Sequence, residues 1–486
     1  MYLGIDLGTS GVKAVLIDDA GELLDSATVA LAVSRPQPLW SEQDPHDWWQ
    51  ACEQAVTALG RTQSLRKVAA IGLSGQMHGA TLLDAAGTVL RPAILWNDGR
   101  CAAECEAMEQ LVPAARALTG NIVMPGFTAP KLLWLQRHEA ALCRRIDKVL
   151  LPKDYLRYRM TGDFASDMSD AAGTAWLDVG RRRWNDDLLA ACGLTSAQMP
   201  GLHEGSDITG QLSAAVAARW GMAQVPVAAG GGDNAAGAVG VGIVRPGQAM
   251  LSLGTSGVYF VVSDGFHSNP AAAVHSFCHA LPATWHLMSV MLSAASCLDW
   301  AAKLTGIRDI AKLVAAAEQS AKTATQAWFL PYLSGERTPH NNPRARGVLF
   351  GLGHDSDAAQ IAQAVLEGVG FGLADGMDAL HATGLQPREI TLIGGGSRSH
   401  YWRQMLADIL ARPLTYRQGG TVGPALGAAR LAQLASARGR TLDDVCPVPE
   451  QVQTYRPTAA ASDYFAGRRE TFKQLYRQLA PAFPAL

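Results

Sequence analysis

The chain has 486 residues, 48% of them apolar and 17% charged, with a formal net charge of −2. At about 150 residues per domain this is material for two to four domains with large cores, and far too little charge for a disordered chain. Nothing in the balance supplies the basic surface that nucleic acid or an anionic membrane requires, and no apolar run reaches the roughly 18 residues of a membrane helix, so neither partner is expected.

The eight cysteines are scattered. The one close pair, Cys101 and Cys105, has no second pair or histidines to complete a zinc site, so reduced thiols in a cytoplasmic protein are expected. The first residues, Met1 to Asp6, lack the basic and apolar regions of a signal peptide.

In chain order, an apolar strand from Tyr2 to Ile5 runs into Leu7-Gly8-Thr9-Ser10-Gly11, and a β-branched strand leaves from Val12 to Ile17. Strand, tight turn and returning strand make a β-hairpin. A helix is predicted over Pro45 to Leu59, and a buried strand over Val68 to Leu73 enters the turn Gly72-Leu73-Ser74-Gly75-Gln76-Met77-His78-Gly79. Gln76 and His78 offer hydrogen bonds to polyol hydroxyls, and loops on a rigid sheet carry function; a lone histidine is otherwise more often structural. After a strand over Thr81 to Leu83, Trp96-Asn97-Asp98 offers an aromatic wall, or alternatively a turn capping a helix over Arg100 to Leu111.

The strand Val225 to Ala229 ends in Gly230-Gly231-Gly232-Asp233-Asn234. The glycines let a substrate approach the backbone, and Asp233 then faces a cleft at a strand's carboxyl end, where open α/β sheets bind ligands. Two other readings stay open. Asp233 is a good helix N-cap, and Gly230-x-Gly232-x-x-Ala235 fits a relaxed dinucleotide fingerprint, although the acidic residue expected about 20 positions on is missing. A domain boundary is placed at Arg245-Pro246-Gly247, dividing the chain into 1–245 and 246–486.

Beyond it, Leu7-Gly8-Thr9-Ser10-Gly11-Val12 recurs letter for letter as Leu253-Gly254-Thr255-Ser256-Gly257-Val258, with the same strand flanks, 246 residues later. Two such turns, with backbone N–H groups and hydroxyls exposed, can cradle successive phosphates of a nucleotide. The copies differ at one position: Asp6 precedes the first turn and Ser252 the second. A carboxylate beside a phosphate loop is repelled unless a cation intervenes, which points to Mg²⁺ on one side only. Helices follow over 294–305, 357–380, 400–411 and 424–437, with a strand over 390–393 and a closing amphipathic helix over Tyr464 to Leu479. Gly394-Gly395-Gly396-Ser397-Arg398-Ser399 and Gly419-Gly420-Thr421-Val422-Gly423-Pro424 are Gly-rich helix entries suited to a nucleotide's polar edges. The dipeptide Gly-Lys never occurs, which excludes a P-loop.

Taken together, Gly4 to Ser10, the repeated turn, Gly126 to Leu135, and Gly347 to Leu352 with Gln360 to Glu367 resemble the FGGY carbohydrate kinases, over nearly the whole chain. The resemblance implies two RNase H-like domains of the actin and hexokinase superfamily flanking a deep catalytic cleft. It implies ATP and Mg²⁺, with Asp6 holding the metal through water, and Asp233 as base toward a sugar's terminal hydroxyl. It places the sugar near Gln76, Met77, His78, Trp96, Asp233 and Asn234. It places ATP near Thr9, Ser10, Lys13, Gly254, Thr255, Ser256, Gly394, Gly395, Gly396 and Ser399. The segments 74–79, 96–98 and 232–237 point within the family to D-xylulose as acceptor, ahead of ribulose, glycerol, fuculose or gluconate. An actin-fold ATPase without a sugar is the reading from another class; it would want an added peptide-binding domain or polymer contacts. A homodimer is the default expectation, two-fold oligomers being the commonest.

Overall fold

The computed structural model describes residues 1–320, 325–418, 423–437 and 439–483. Two seven-stranded mixed sheets organise it. The first contains β1 (Tyr2–Gly8), β2 (Gly11–Ile17), β3 (Leu23–Ala30), β4 (Ala70–Gly75), β5 (Ile208–Gln211), β6 (Pro226–Ala228) and the two-residue β7 (Gly231–Gly232). The order is β5-β6-β4-β1-β2-β3, with β7 pairing the end of β4. The second contains β8 (Gln248–Leu253), β9 (Gly257–Ser263), β10 (His275–Cys278), β11 (Trp285–Met291), β12 (Glu389–Ile393), β13 (Leu414–Arg417) and β14 (Gln451–Tyr455). Its order is β10-β11-β9-β8-β12-β13-β14.

The repeat read from six letters is a repeat of topology. In each sheet a hairpin leads, a third strand adds antiparallel beyond its second strand, and two strands add in parallel on the other side of its first. An antiparallel strand then closes that edge in each. The closing strand precedes its neighbour in the chain in the first sheet and follows it in the second.

Helix α1 (Pro45–Leu59) forms where expected, residue for residue. Asp44 caps it by accepting from the His46 N–H, proline stands at its first position, and Trp48, Trp49, Cys52, Ala55, Val56 and Leu59 make one buried stripe against the first sheet. The helix expected from Arg100 begins instead at Ala102, because the Asp98 carboxylate holds both the Arg100 N–H and its guanidinium in the preceding turn. The strand expected over 68–73 is displaced to 70–75: a 3₁₀ turn at Leu65–Lys67 takes up its lead, and pairing with β1 carries it on to Gly75.

Four further helices position the site. They are α2 (Thr128–His138), α3 (Asp233–Gly240), α4 (Ser296–Thr305) and α5 (Ala358–His381). Later come α6 (His400–Leu410), α7 (Gly423–Ser436) and α8 (Ala459–Leu479). The last begins five residues before Tyr464, since Ala459-Ala460-Ala461 are strong helix formers.

Helix α7 belongs to the second half of the sequence but lies on the first sheet and against α3. The approach is so close that a Cβ on Gly72 of β4 would come 1.9 Å from the Ala428 carbonyl oxygen, and one on Gly427 would come 1.7 Å from that of Ala236. Only glycine permits such backbone contact. Each sheet has its own core, and a further apolar cluster mixes both halves, with Met77, Phe127 and Trp176 against Phe260, Phe277 and Met288. No described helix is long and apolar enough to cross a membrane.

Candidate active site

The carboxyl ends of β1, β4 and β7 converge on one point. Asp6 stands on β1 opposite Ser74 of β4, and β7 pairs with Ser74 and Gly75 before the chain turns into α3 at Asp233. The strand is interrupted at Gly230, whose φ of +85° and approach to the Leu73 carbonyl no other residue tolerates. Behind the loop, Ser169 Oγ accepts the Gly232 N–H at 3.0 Å and itself donates to Asp167. Asp167 pairs with a wholly buried Lys153, which also holds Asp154.

The N-cap of α3 is Gly232, so Asp233 is the first helical residue and not the cap. Its Oδ1 accepts from the Asn234 N–H at 2.7 Å and the Asn234 amide at 2.8 Å. Burial pushes its pKa up to about 6, against these bonds. Asp6 is pushed further, to about 7, first by burial and then by repulsion from Asp233. Its Oδ1 is buried without a hydrogen-bond partner, as is Ser74 Oγ beside it. An orphaned carboxylate oxygen next to a second carboxylate is a fitting place for a hard cation. Lys13 lies directly across the hairpin from Asp6, partly offsetting its charge, and makes no ion pair among the described residues.

In front of Asp233 is a cavity of about 270 Å³, at the small end of the roughly 300–1,000 Å³ of ligand sites. Met77, His78, Trp96, Asp233 and Asn234 line it from the first half, and Ser256, Val258, His275, Phe277, Met288, Val290 and Arg337 from the second. His78 has a φ of +72°. Its Nδ1 lies 2.6 Å from the Gly173 carbonyl oxygen, which can only accept, so Nδ1 carries the proton and Nε2 is left as an acceptor. Burial lowers the pKa of His78 to about 3, and the cations Lys131 and Arg337 add to this, so the ring is neutral. Its backbone is held from α2: Lys131 Nζ donates to the His78 and Gly126 carbonyls at 2.8 and 2.7 Å, and Thr128 Oγ1 donates to the former.

Two expected contacts are placed differently. Gln76 is buried and does not line the cavity. It lies behind the first hairpin turn, accepting from Thr9 Oγ1 at 2.9 Å and donating to Gln43 Oε1 at 3.0 Å. Gln43 in turn donates to the Thr9 carbonyl. Gln76 therefore braces the turn, and its amide is engaged by Thr9 and Gln43. Thr9 is changed with it. Its hydroxyl gives its proton to Gln76 and accepts from Trp96 Nε1 at 2.9 Å, leaving Ser10, which is exposed, as the free hydroxyl of that turn.

The second turn is held from the two residues that lead into α4, with the Ala294 and Ala295 N–H groups donating to the Thr255 and Gly254 carbonyls. Next to it, Gly394 (φ +94°) approaches the Leu253 backbone, whereas Gly395 faces open space. Ser399 is the N-cap of α6, its Oγ accepting from Trp402 N–H at 3.2 Å. The Gly419–Val422 stretch lies outside the described residues. Apart from Ser256 and Val258 of the repeated turn, the second-half wall of the cavity was missed in the sequence. Its one signal was a charged pair inside a Gly- and Pro-punctuated segment, Gly335-Glu336-Arg337-Thr338-Pro339.

A small cavity lined by a half-buried carboxylate and by Ser256 of one of two matching Gly/Thr/Ser hairpins fits a phosphotransferase of small polyols, and the chain belongs to the FGGY family of carbohydrate kinases. The family's N-terminal domain matches residues 1–240 and its C-terminal domain residues 249–436. Among relatives, the chain is 65% identical to the xylulose kinase of Escherichia coli (strain K12) over 481 residues, covering 99% of each. It is 62% identical to the xylulose kinase of Klebsiella pneumoniae over 482 residues, with the same coverage. The solved structure of a "xyloylose kinase" from Brucella ovis superposes with a TM-score of 0.95 at 50% identity, covering 99% of both chains.

Proposed function

We propose that this chain transfers the γ-phosphoryl group of ATP to the terminal hydroxyl of D-xylulose, giving D-xylulose 5-phosphate and ADP, in the cytoplasm. The observation that carries the mechanism is Asp233, a half-buried carboxylate with a raised pKa, lining a small cavity that also touches Ser256 of the second phosphate turn. The choice of sugar is supported by the high identity to xylulose kinases across the whole chain.

Asp233 accepts the proton of the attacking hydroxyl, and Asn234 keeps its carboxylate aimed by two hydrogen bonds. His78 Nε2 accepts from a sugar hydroxyl, and the Trp96 ring forms one wall. The turns at Thr9–Ser10 and Gly254–Ser256 offer N–H groups and hydroxyls to the phosphates, and the open face of Gly395 takes the nucleotide. Asp6 would hold Mg²⁺, which when bound neutralises charge on the phosphates. Closure of the two halves around the cavity keeps water from the γ-phosphorus.

A panel of D-xylulose, D-ribulose, L-xylulose and glycerol in a coupled assay for sugar-dependent ADP release tests this. D-xylulose is expected to give the highest kcat/KM. A higher value for another polyol moves the substrate, and ADP release that no sugar stimulates removes the kinase reading.

A further inference from the structure

Among the described residues Arg337 is the one cation in the cavity wall, and nothing in the mechanism above uses it. It is half-buried, and among the described residues it has no ion pair. The adjacent Glu336 carboxylate faces elsewhere, its Oε1 accepting from the Leu292 N–H at 3.1 Å and the Arg337 backbone N–H at 2.7 Å. Among the described residues the guanidinium makes a single protein hydrogen bond, from Nη1 to His275 Nε2 at 3.2 Å.

That bond fixes a chain of proton positions. Arginine can only donate, so His275 Nε2 accepts and its Nδ1 carries the proton. Nδ1 then donates to Asn121 Oδ1 at 3.3 Å. Asn121 is oriented in turn by donating its amide to the Thr119 and Ser276 carbonyls at 2.7 and 2.9 Å and by accepting from the Ser276 N–H. The fork of Arg337 is thus held by a neutral acceptor, with its remaining N–H groups left for the cavity. A charge kept in such a place without a carboxylate is a site for a ligand's oxygen atoms.

Its position says which end of a ligand it meets. His275 stacks on Phe277 with ring centroids 5.4 Å apart, and Phe277 lies 6.3 Å from the His78 ring. Arg337 therefore groups with His275, Phe277 and His78, whereas Asp233 groups with Asn234, which it accepts from, and with Asp6, which it repels. We propose that Arg337 is a specificity-determining residue for the acceptor, donating to the oxygens at the end of the sugar remote from the hydroxyl that Asp233 deprotonates. For a ketopentose phosphorylated at O5 these are the carbonyl oxygen at C2 and the hydroxyl at C1. The assignment rests on the D-xylulose reading of the site.

The test pairs a change in the protein with a change in the sugar. Kinetics are measured for the wild type, Arg337→Met and Arg337→Lys, each with D-xylulose and with its 1-deoxy analogue. In the wild type, loss of the C1 hydroxyl is expected to lower kcat/KM by roughly 10- to 100-fold, the range for a hydrogen bond to a charged group. Arg337→Met is expected to lose a similar factor on D-xylulose, mainly through KM, and to discriminate less than about twofold between the two sugars, since the partner of the lost hydroxyl is already gone. Arg337→Lys, which keeps the charge, is expected to fall between. A purely structural role lowers both sugars equally in Arg337→Met and leaves their ratio at the wild-type value; that result, or no change in either, overturns the assignment. Failure of the wild type to turn over D-xylulose is a separate outcome, which removes the substrate reading and the assignment with it.

Discussion

Asp233→Asn is expected to lower kcat for sugar phosphorylation by about 10²- to 10⁴-fold, the usual contribution of a positioned general base. The substitution keeps size, shape and an oxygen able to accept from the Asn234 N–H, so α3 and the cavity wall remain. What it removes is the site that takes the proton. ATP affinity measured by calorimetry is expected to stay within a few-fold of wild type, because the phosphate turns are carried by other strands. The lost step is chemistry, so the fall should be seen in kcat more than in KM. Turnover within tenfold of wild type would remove Asp233 as the base.

Asp6→Asn is expected to raise the Mg²⁺ concentration needed for half-maximal activity by about 10- to 100-fold, the range for losing an outer-shell group that holds a metal through water. The cause is on the first sheet. Asp6 Oδ1 is buried with no hydrogen-bond partner, and repulsion from Asp233 raises its pKa. Such a group is costly in the empty site and is stabilised by a cation. The duplication supplies a control, since Ser252 occupies the matching place in the second hairpin. Ser252→Ala is expected to leave the Mg²⁺ requirement within about twofold, because it removes no carboxylate. An unchanged Mg²⁺ titration in Asp6→Asn would show that the cation is held elsewhere.

The halves of the molecule were legible because their signals are local. Each of the two matching hairpins is two apolar runs about a Gly/Thr/Ser turn, and identical letters at half-length announced the repeated sheet. The Gly230–Asp233 turn was legible for the same reason: three glycines at a strand end have few other uses. What failed was direction and distance. Gln76, Met77 and His78 share one Gly-flanked turn, and spacing alone does not tell that Gln76 turns back toward Thr9 while the other two line the cavity. The positive φ of His78 and the Lys131 clamp that holds it are set by a helix 50 residues on. The opposite wall comes from residues 256–337, which meet Asp233 only once the sheets are packed together. Nor does periodicity show that α7, at the far end of the chain, lies on β4 through Gly72.

The central claim, that Asp233 is a base tuned by burial in the cleft, is tested most directly by the pH dependence of kcat/KM for the sugar. The measurement is made at saturating ATP and Mg²⁺, so that the cation keeps Asp6 ionised. A base works only when deprotonated, and burial raises the pKa of Asp233 to about 6. Activity should therefore be level above pH 7 and fall through an acid limb centred near pH 6, tenfold per unit below it. A limb at the ordinary carboxylate value of about 4, or a limb that persists unchanged in the residual activity of Asp233→Asn, would contradict the account.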